Sequence, residues 1–271
     1  MKNPVSPPAA PKRLLTIQDI SCVGQCSATV ALPVVSACGV ECAVLPSAVL
    51  SNHTGGFPSW TFRDLTDEMP RIEAEWRRQG IRFDAFYTGY VCPRQIGPIL
   101  SIVSSCAAPG ALRFVDPAMA DNGKLYAGFG PDFPAQMARL CAGADYLLPN
   151  LTEAALLLGR EPVLEGYGRA FVEETVAGLH ALGAKNVVLT GVSFDSVQLG
   201  TAVSDGETLR YDFNPRLLRG GGGAGRRVHA SGRQSKSHFD ASARTDARTG
   251  YGKLAVTRRA RRVNGFIFVA F

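Results

Sequence analysis

From residue 13 to about residue 213 the chain alternates short apolar, β-branched runs with segments of helical period. "RLLTIQD" (13–19) reads as a buried strand and "CSATVALPVVSACG" (26–39) as a helix with Pro33 as its kink. "ECAVLPSAVL" (41–50) is strand-like. "TDEMPRIEAEWRRQG" (66–80) puts acids in its first turn, arginines in its last and a glycine at its end, the polarity that suits a helix dipole. Strands follow at 83–89, 112–117, 145–149 and 186–191, and helices at 93–106, 132–143, 151–159 and 170–183. Residues 196–213 read as a hairpin turning at Asp205-Gly206. This alternation predicts a mostly parallel sheet with helices on both faces.

In such a sheet, ligands bind outside the carboxyl ends of the strands. Asp19, Thr54, Tyr90, Asp116, Asn150 and Thr190 all fall at or just beyond those ends. That spacing predicts one shared cleft.

After residue 218 the pattern stops. Between 219 and 262 the large apolar residues are Val228, Phe239, Tyr251, Leu254 and Val256, too few for core-facing helices, and disorder is expected. Charge changes at the same place. Residues 219–271 carry 12 Lys and Arg against 2 Asp and Glu, leaving 17 against 21 in residues 1–218. The net charge of +6 therefore belongs to the tail, and a nucleic-acid partner is not expected for the domain. The expected division is a flexible Pro-rich arm (1–12), a folded domain (13–218) and a basic low-complexity tail (219–271). No apolar run reaches the roughly 18 residues of a membrane span, and the first residues lack a signal peptide's apolar core. A cytoplasmic protein without a membrane partner is expected. Seven cysteines then imply reduced thiols. The pairs Cys22/Cys26 and Cys38/Cys42 have a spacing open to zinc, but their apolar surroundings favour small buried side chains.

Each local motif has two readings. In "SNHTGGF" (51–57), His53 and Thr54 would suit a polar heteroaromatic ligand, or simply form a loop. In "DPAMADNGKLY" (116–126), Asp116 and Asp121 would suit Mg²⁺ beside phosphate, while Asp121-Asn122-Gly123 is also an ordinary flexible turn. In "PNLTEA" (149–154), Asn150 and Glu153 have capping-box spacing, yet a helix N-terminus at a strand end is also where phosphate and its metal sit. "GGGGAG" (220–225) is either a phosphate cradle or a linker.

In combination and order, "TIQD", "VALPVVSACGVE", "AVLSNHTGGF", "TFRDLTDEMP", "YTGY", "VDPAMADNGKLY" and "PNLTEAALLLG" resemble the pyridoxal kinases, close to the bacterial pyridoxal/pyridoxine/hydroxymethylpyrimidine kinase group of the ribokinase-like superfamily. The resemblance runs from about Arg13 to Phe213. It implies a three-layer α/β/α sandwich that transfers the γ-phosphoryl of ATP to the 5′-hydroxyl of pyridoxal or a related B6 vitamer. It implies Asp19, Thr54 and Tyr90 at the vitamer ring, with Asp19 where many relatives carry serine. Asn150, Thr190 and Tyr126 would attend the nucleotide, Tyr126 from a lid segment. Asp116, Asp121 and Glu153 would order Mg²⁺ and its waters, with room for a monovalent cation. A homodimer is the assembly it implies. A hydroxymethylpyrimidine kinase is an alternative on the same fold.

The family's anion hole and catalytic base lie in a Gly-Thr/Ala-Gly-Asp motif opening a long apolar helix. Here Gly223, Ala224 and Gly225 are followed by Arg226 where the aspartate belongs, and no apolar helix follows. A reading-frame change accounts for the lost aspartate, the lost helix and the charge jump together. Gly225-Arg226-Arg227-Val228-His229 can be written GGC CGA CGT GTT CAC, and removing one C gives Gly-Asp-Val-Phe. Taken as written, the sequence describes an enzyme that has lost its base, or a vitamer- or nucleotide-binding pseudokinase.

Overall fold

A computed structural model describes residues 12–54 and 57–216. The arm before residue 12, Gly55, Gly56 and everything after Arg216 lie outside the described residues. So do the expectations for Gly223, Ala224, Gly225, Arg226 and the tail.

Nine strands form one sheet. In chain order they are β1 (Arg13–Ser21), β2 (Glu41–Leu50), β3 (Phe62–Asp64), β4 (Phe83–Thr88), β5 (Ala107–Val115), β8 (Tyr146–Leu147), β9 (Asn186–Val192), β10 (Gln198–Ser204) and β11 (Leu209–Pro215). The two remaining strands, β6 (Ala120–Asp121) and β7 (Lys124–Leu125), form a small separate hairpin. The spatial order is β11-β10-β9-β8-β5-β4-β1-β2-β3. Pairing is parallel from β2 through β9, and antiparallel where β3, β10 and β11 add to the ends. The mostly parallel sheet read from the alternation is thus observed, as is the closing hairpin, whose loop holds Asp205 and Gly206.

Side-chain alternation on the strands divides the core in two. Leu15, Ile17, Phe86, Val115, Leu147, Val187 and Leu189 face one layer of helices. These are α2 (Met69–Arg78), α3 (Ile96–Cys106), α4 (Phe133–Cys141), α5 (Leu151–Leu157) and α6 (Arg169–Ala181). Leu14, Ala85, Tyr87, Phe114, Tyr146, Leu148 and Val188 face the other way, where α1 (Ala28–Ala37) packs with Ala31 and Val35. Both faces therefore carry helix, five on one and, among the described residues, α1 alone on the other, the arrangement of a three-layer sandwich. Pro33 lies inside α1, as anticipated. Its missing N–H leaves the Thr29 carbonyl without the usual donor four residues on.

Several boundaries differ from the sequence reading. The helices expected over 66–80 and 93–106 each begin with a single 3₁₀ turn, Thr66–Glu68 and Pro93–Gln95, so the acids Asp67 and Glu68 precede α2. β5 starts at Ala107, not at residue 112. Ala107 pairs with Phe83, and the ladder resumes at Leu112 opposite Ala85, past a bulge holding Pro109 and left-handed Gly110. The strand expected over 145–149 is a ladder of two residues, because Pro149 has no N–H to donate. The edge strand β3 and the hairpin β6–β7 were not anticipated.

The expectation for the cysteines needs correction. All seven are free thiols, but Cys22 is exposed, and Cys38 and Cys42 are only half-buried. Of the four in the spaced pairs, Cys26 alone is buried. Among the described residues no three His, Cys, Asp or Glu side chains converge to hold a metal.

Candidate active site

Because β1, β2, β4, β5, β8 and β9 run parallel, their carboxyl ends open on one edge of the sheet. The residues singled out at those ends therefore share that edge. Asp19 is buried near the end of β1 and accepts a hydrogen bond from the Ser21 hydroxyl at 3.1 Å. Burial pushes the neighbouring Cys26 thiol up, and the Asp19 charge pushes the same way. The loop after β2 is drawn to the loop after β1 by a bond from the His53 N–H to the Val23 carbonyl, 2.8 Å. Thr54 itself is exposed.

Tyr90 follows β4. Its ring stacks on Phe129 with centroids 5.5 Å apart and 25° between planes. Burial raises its phenol well above the usual tyrosine range, with Cys92, Asp19 and Asp64 adding to the shift.

On the other side of the edge, Asp116 is buried directly after β5, with its N–H bonded to the Thr88 carbonyl at 3.0 Å. Asn122 and Gly123, both left-handed, make the tight β6–β7 turn. What read as a flexible turn is thus a paired hairpin, with the Gly123 N–H tied to the Thr152 hydroxyl of α5 at 3.0 Å. The hairpin delivers Tyr126. Burial lifts its phenol, and the negative charges of Glu153, Asp116 and Asp121 lift it further.

Asn150 and Glu153 form a capping box, one of the two readings their spacing allowed. Asn150 Oδ1 accepts the Glu153 N–H at 2.8 Å, and Glu153 Oε2 accepts the Asn150 N–H at 2.7 Å. Asn150 Nδ2 donates to the Ala120 carbonyl at 2.8 Å, while Glu153 Oε1 takes the Met119 N–H at 3.4 Å. Both side chains are thereby occupied in joining α5 to the segment leading into the hairpin. Asp116 and Asp121 are the carboxylates here that could share a Mg²⁺ with phosphate oxygens and waters. Thr190 is buried beside Asn150 through a parallel bridge, and its N–H donates to the Pro149 carbonyl at 2.8 Å.

Sequence reasoning passed over Ser47, whose hydroxyl donates to the Tyr90 carbonyl, Gln95, which accepts the Cys92 N–H, and Phe129, which stacks on the Tyr90 ring. The Cys92–Gln95 spacing, a cap residue with glutamine three positions later, was the available signal.

Comparison with known proteins bears on the family. A solved pyridoxal kinase of Lactobacillus plantarum is 33% identical, with a TM-score of 0.69 over 77% of this chain and 74% of the other. The chain belongs to the pyridoxal kinase family. A Bacteroides thetaiotaomicron protein described as a phosphomethylpyrimidine kinase, crystallised with pyridoxal, is 35% identical with a TM-score of 0.70, covering 74% of this chain and 71% of its own. A pyridoxal kinase of Dictyostelium discoideum is 26% identical over 208 residues, which span 66% of that relative's length. No protein-family model matches the chain.

Proposed function

We propose that this fold serves ATP-dependent phosphorylation of the 5′-hydroxyl of pyridoxal and related B6 vitamers. The observation that carries the reading is one sheet edge with two unlike halves. Asp19 and Tyr90 form a polar-aromatic side suited to a flat ring. Asp116, Asp121 and Glu153 form an acidic side suited to a metal-bound polyphosphate. Phosphoryl transfer needs mainly positioning and charge neutralisation, so such a divided edge is what the reaction requires.

In this reading Asp19 and Thr54 bond the polar edge of the ring, and Tyr90 packs on its face. Asp116 and Asp121 would hold Mg²⁺, which when bound would neutralise charge on the phosphate oxygens. Glu153 acts by holding Asn150 at the phosphates. Tyr126 covers the transferring group from the hairpin, Thr190 lies on the nucleotide side, and two copies form a dimer. A pyrimidine substrate has no observation in its favour over a vitamer. The relative described as a phosphomethylpyrimidine kinase was itself crystallised with pyridoxal.

Turnover is a separate matter. With Arg226 at the place of the family's aspartate, this exact chain should bind vitamer and nucleotide but transfer phosphate poorly. Loss of a general base costs about 10²–10⁴-fold. Titration of the full chain with pyridoxal and, separately, with Mg·ADP tests the binding half, and Thr54→Ala should weaken pyridoxal alone. No saturable pyridoxal binding by the unaltered chain would end the vitamer reading. An unchanged titration for Thr54→Ala would return Thr54 to the role of loop residue.

A further inference from the structure

Gln95 is wholly buried, ends the 3₁₀ turn Pro93–Gln95, and uses both ends of its amide. Its Oε1 accepts the Cys92 N–H at 2.8 Å, which is the helix-cap bond that its spacing allows. Capping does not account for the other end. Its Nε2 donates to the Ser47 carbonyl of β2 at 2.7 Å and reaches Asp64 Oδ1 of β3 at 3.4 Å. Ser47, also wholly buried, donates its hydroxyl to the Tyr90 carbonyl at 2.7 Å. The segment Tyr90–Cys92 is therefore held at both ends, by Ser47 at Tyr90 and by Gln95 at Cys92. The same glutamine ties that segment to two strands on the far side of β1 in the sheet order.

We propose that Gln95 is a positioning residue for the vitamer site, acting with Ser47 to fix the backbone that carries Tyr90 and so set the wall against which a substrate ring packs. The ligand half of this inference rests on the vitamer reading above. Phe129 stacks on the Tyr90 ring and itself packs on Phe133, with centroids 4.2 Å apart and the rings tilted by 34°, which braces the Tyr90 ring. The clamp fixes the backbone and the stack fixes the ring. Glutamine is required at position 95 because one end must accept from an N–H while the other donates to a carbonyl. Glutamate keeps the shape but turns an oxygen toward the Ser47 carbonyl and the Asp64 carboxylate, where there is nothing to donate.

The test is a mutant cycle on the full chain, with pyridoxal and Mg·ADP titrated separately. Gln95→Glu and Ser47→Ala should each weaken pyridoxal about five- to tenfold, the size of one lost buried hydrogen bond, with Mg·ADP affinity within about twofold of the unaltered chain. In a Tyr90→Ala background neither should weaken pyridoxal further, since the group they position is gone. The same loss in that background, or a parallel loss of Mg·ADP, would overturn the proposal. Ser47→Ala removes a single hydroxyl and carries the cycle if Gln95→Glu does not fold. Amide exchange of residues 90–92, measured without ligand, should quicken in both variants. Unchanged exchange would overturn the clamp, whereas failure of the unaltered chain to bind pyridoxal would sink the vitamer reading and the ligand half alone.

Discussion

Glu153 allows a choice between cap and metal ligand. The side chain is fully buried and both oxygens accept backbone N–H groups, that of Asn150 at 2.7 Å and that of Met119 at 3.4 Å. Glu153→Ala leaves two buried donors unpaired. Each costs about 1–3 kcal/mol, the long Met119 contact at the low end, and relief from burying a carboxylate offsets part of the sum. A net loss of about 2–4 kcal/mol is expected, lowering the melting temperature by roughly 5–15 °C for a domain of this size. Glu153→Gln keeps an oxygen for the Asn150 N–H and should lose about 1 kcal/mol. Thermal and urea unfolding of both variants, beside Mg·ADP titration, decide the matter. If alanine costs less than about 2 °C while both variants weaken Mg·ADP equally, the capping argument is wrong and Glu153 is a metal residue first.

Three further outcomes follow from the sequence and the fold. A chain carried into the alternative frame after Gly225 should gain stability and Mg·ATP-dependent pyridoxal phosphorylation together, whereas Arg226→Asp alone should do little. Full activity from the single substitution would refute the frame argument. Asp84 is pushed upward by burial, but the Arg13 N–H and the Lys12 ammonium outweigh this and leave its carboxyl below the usual range. Its contribution is present above about pH 4 and lost as pH falls through the lower folded value. Asp84→Asn should therefore flatten the acid limb of a stability–pH curve, and an unaltered limb would count against the Lys12–Arg13 contacts. Exposed Cys22 should react first with a thiol reagent, while Cys26, Cys106 and Cys141 wait for unfolding. Five or more fast thiols in the native protein would contradict the burial described.

The parallel sheet was legible because each strand carries its own run of apolar residues and each helix its own period, as in "FDAFYTG" and "AFVEETVAGLHALG". Positions at strand ends followed from chain direction alone, which is why Asp19, Tyr90, Asp116, Asn150 and Thr190 could be placed on one edge. What escaped depends on partners distant in sequence. β3 is a strand only because β2 offers it an edge, and "FRD" has no pattern of its own. β8 is short because of what Pro149 cannot donate. The bond from Gln95 to Ser47 spans 48 residues and leaves no local trace. The even choice at Asn150 and Glu153 was a limit of spacing, since a cap and a phosphate site demand the same residues in the same places.

The brevity of β8 has a mechanical side. Among the described residues, strands β1–β5 and strands β9–β11 are joined in the sheet through the two-residue strand β8, with flanking backbone bonds from Leu148 to Val115 and from Thr190 to Pro149 and the Asn150–Thr190 bridge as the last stitch. Cooperative units tend to part where few backbone bonds cross. This joint is therefore the sheet's natural line of local opening, and Asn150 and Thr190 stand on either side of it. A molecule gripped from both Asp116 and Thr190 would staple the seam, so that its affinity and the joint's resistance to opening become one linked quantity. The edge that gathers the polar residues is also where the two halves of the sheet are held together least by the chain itself.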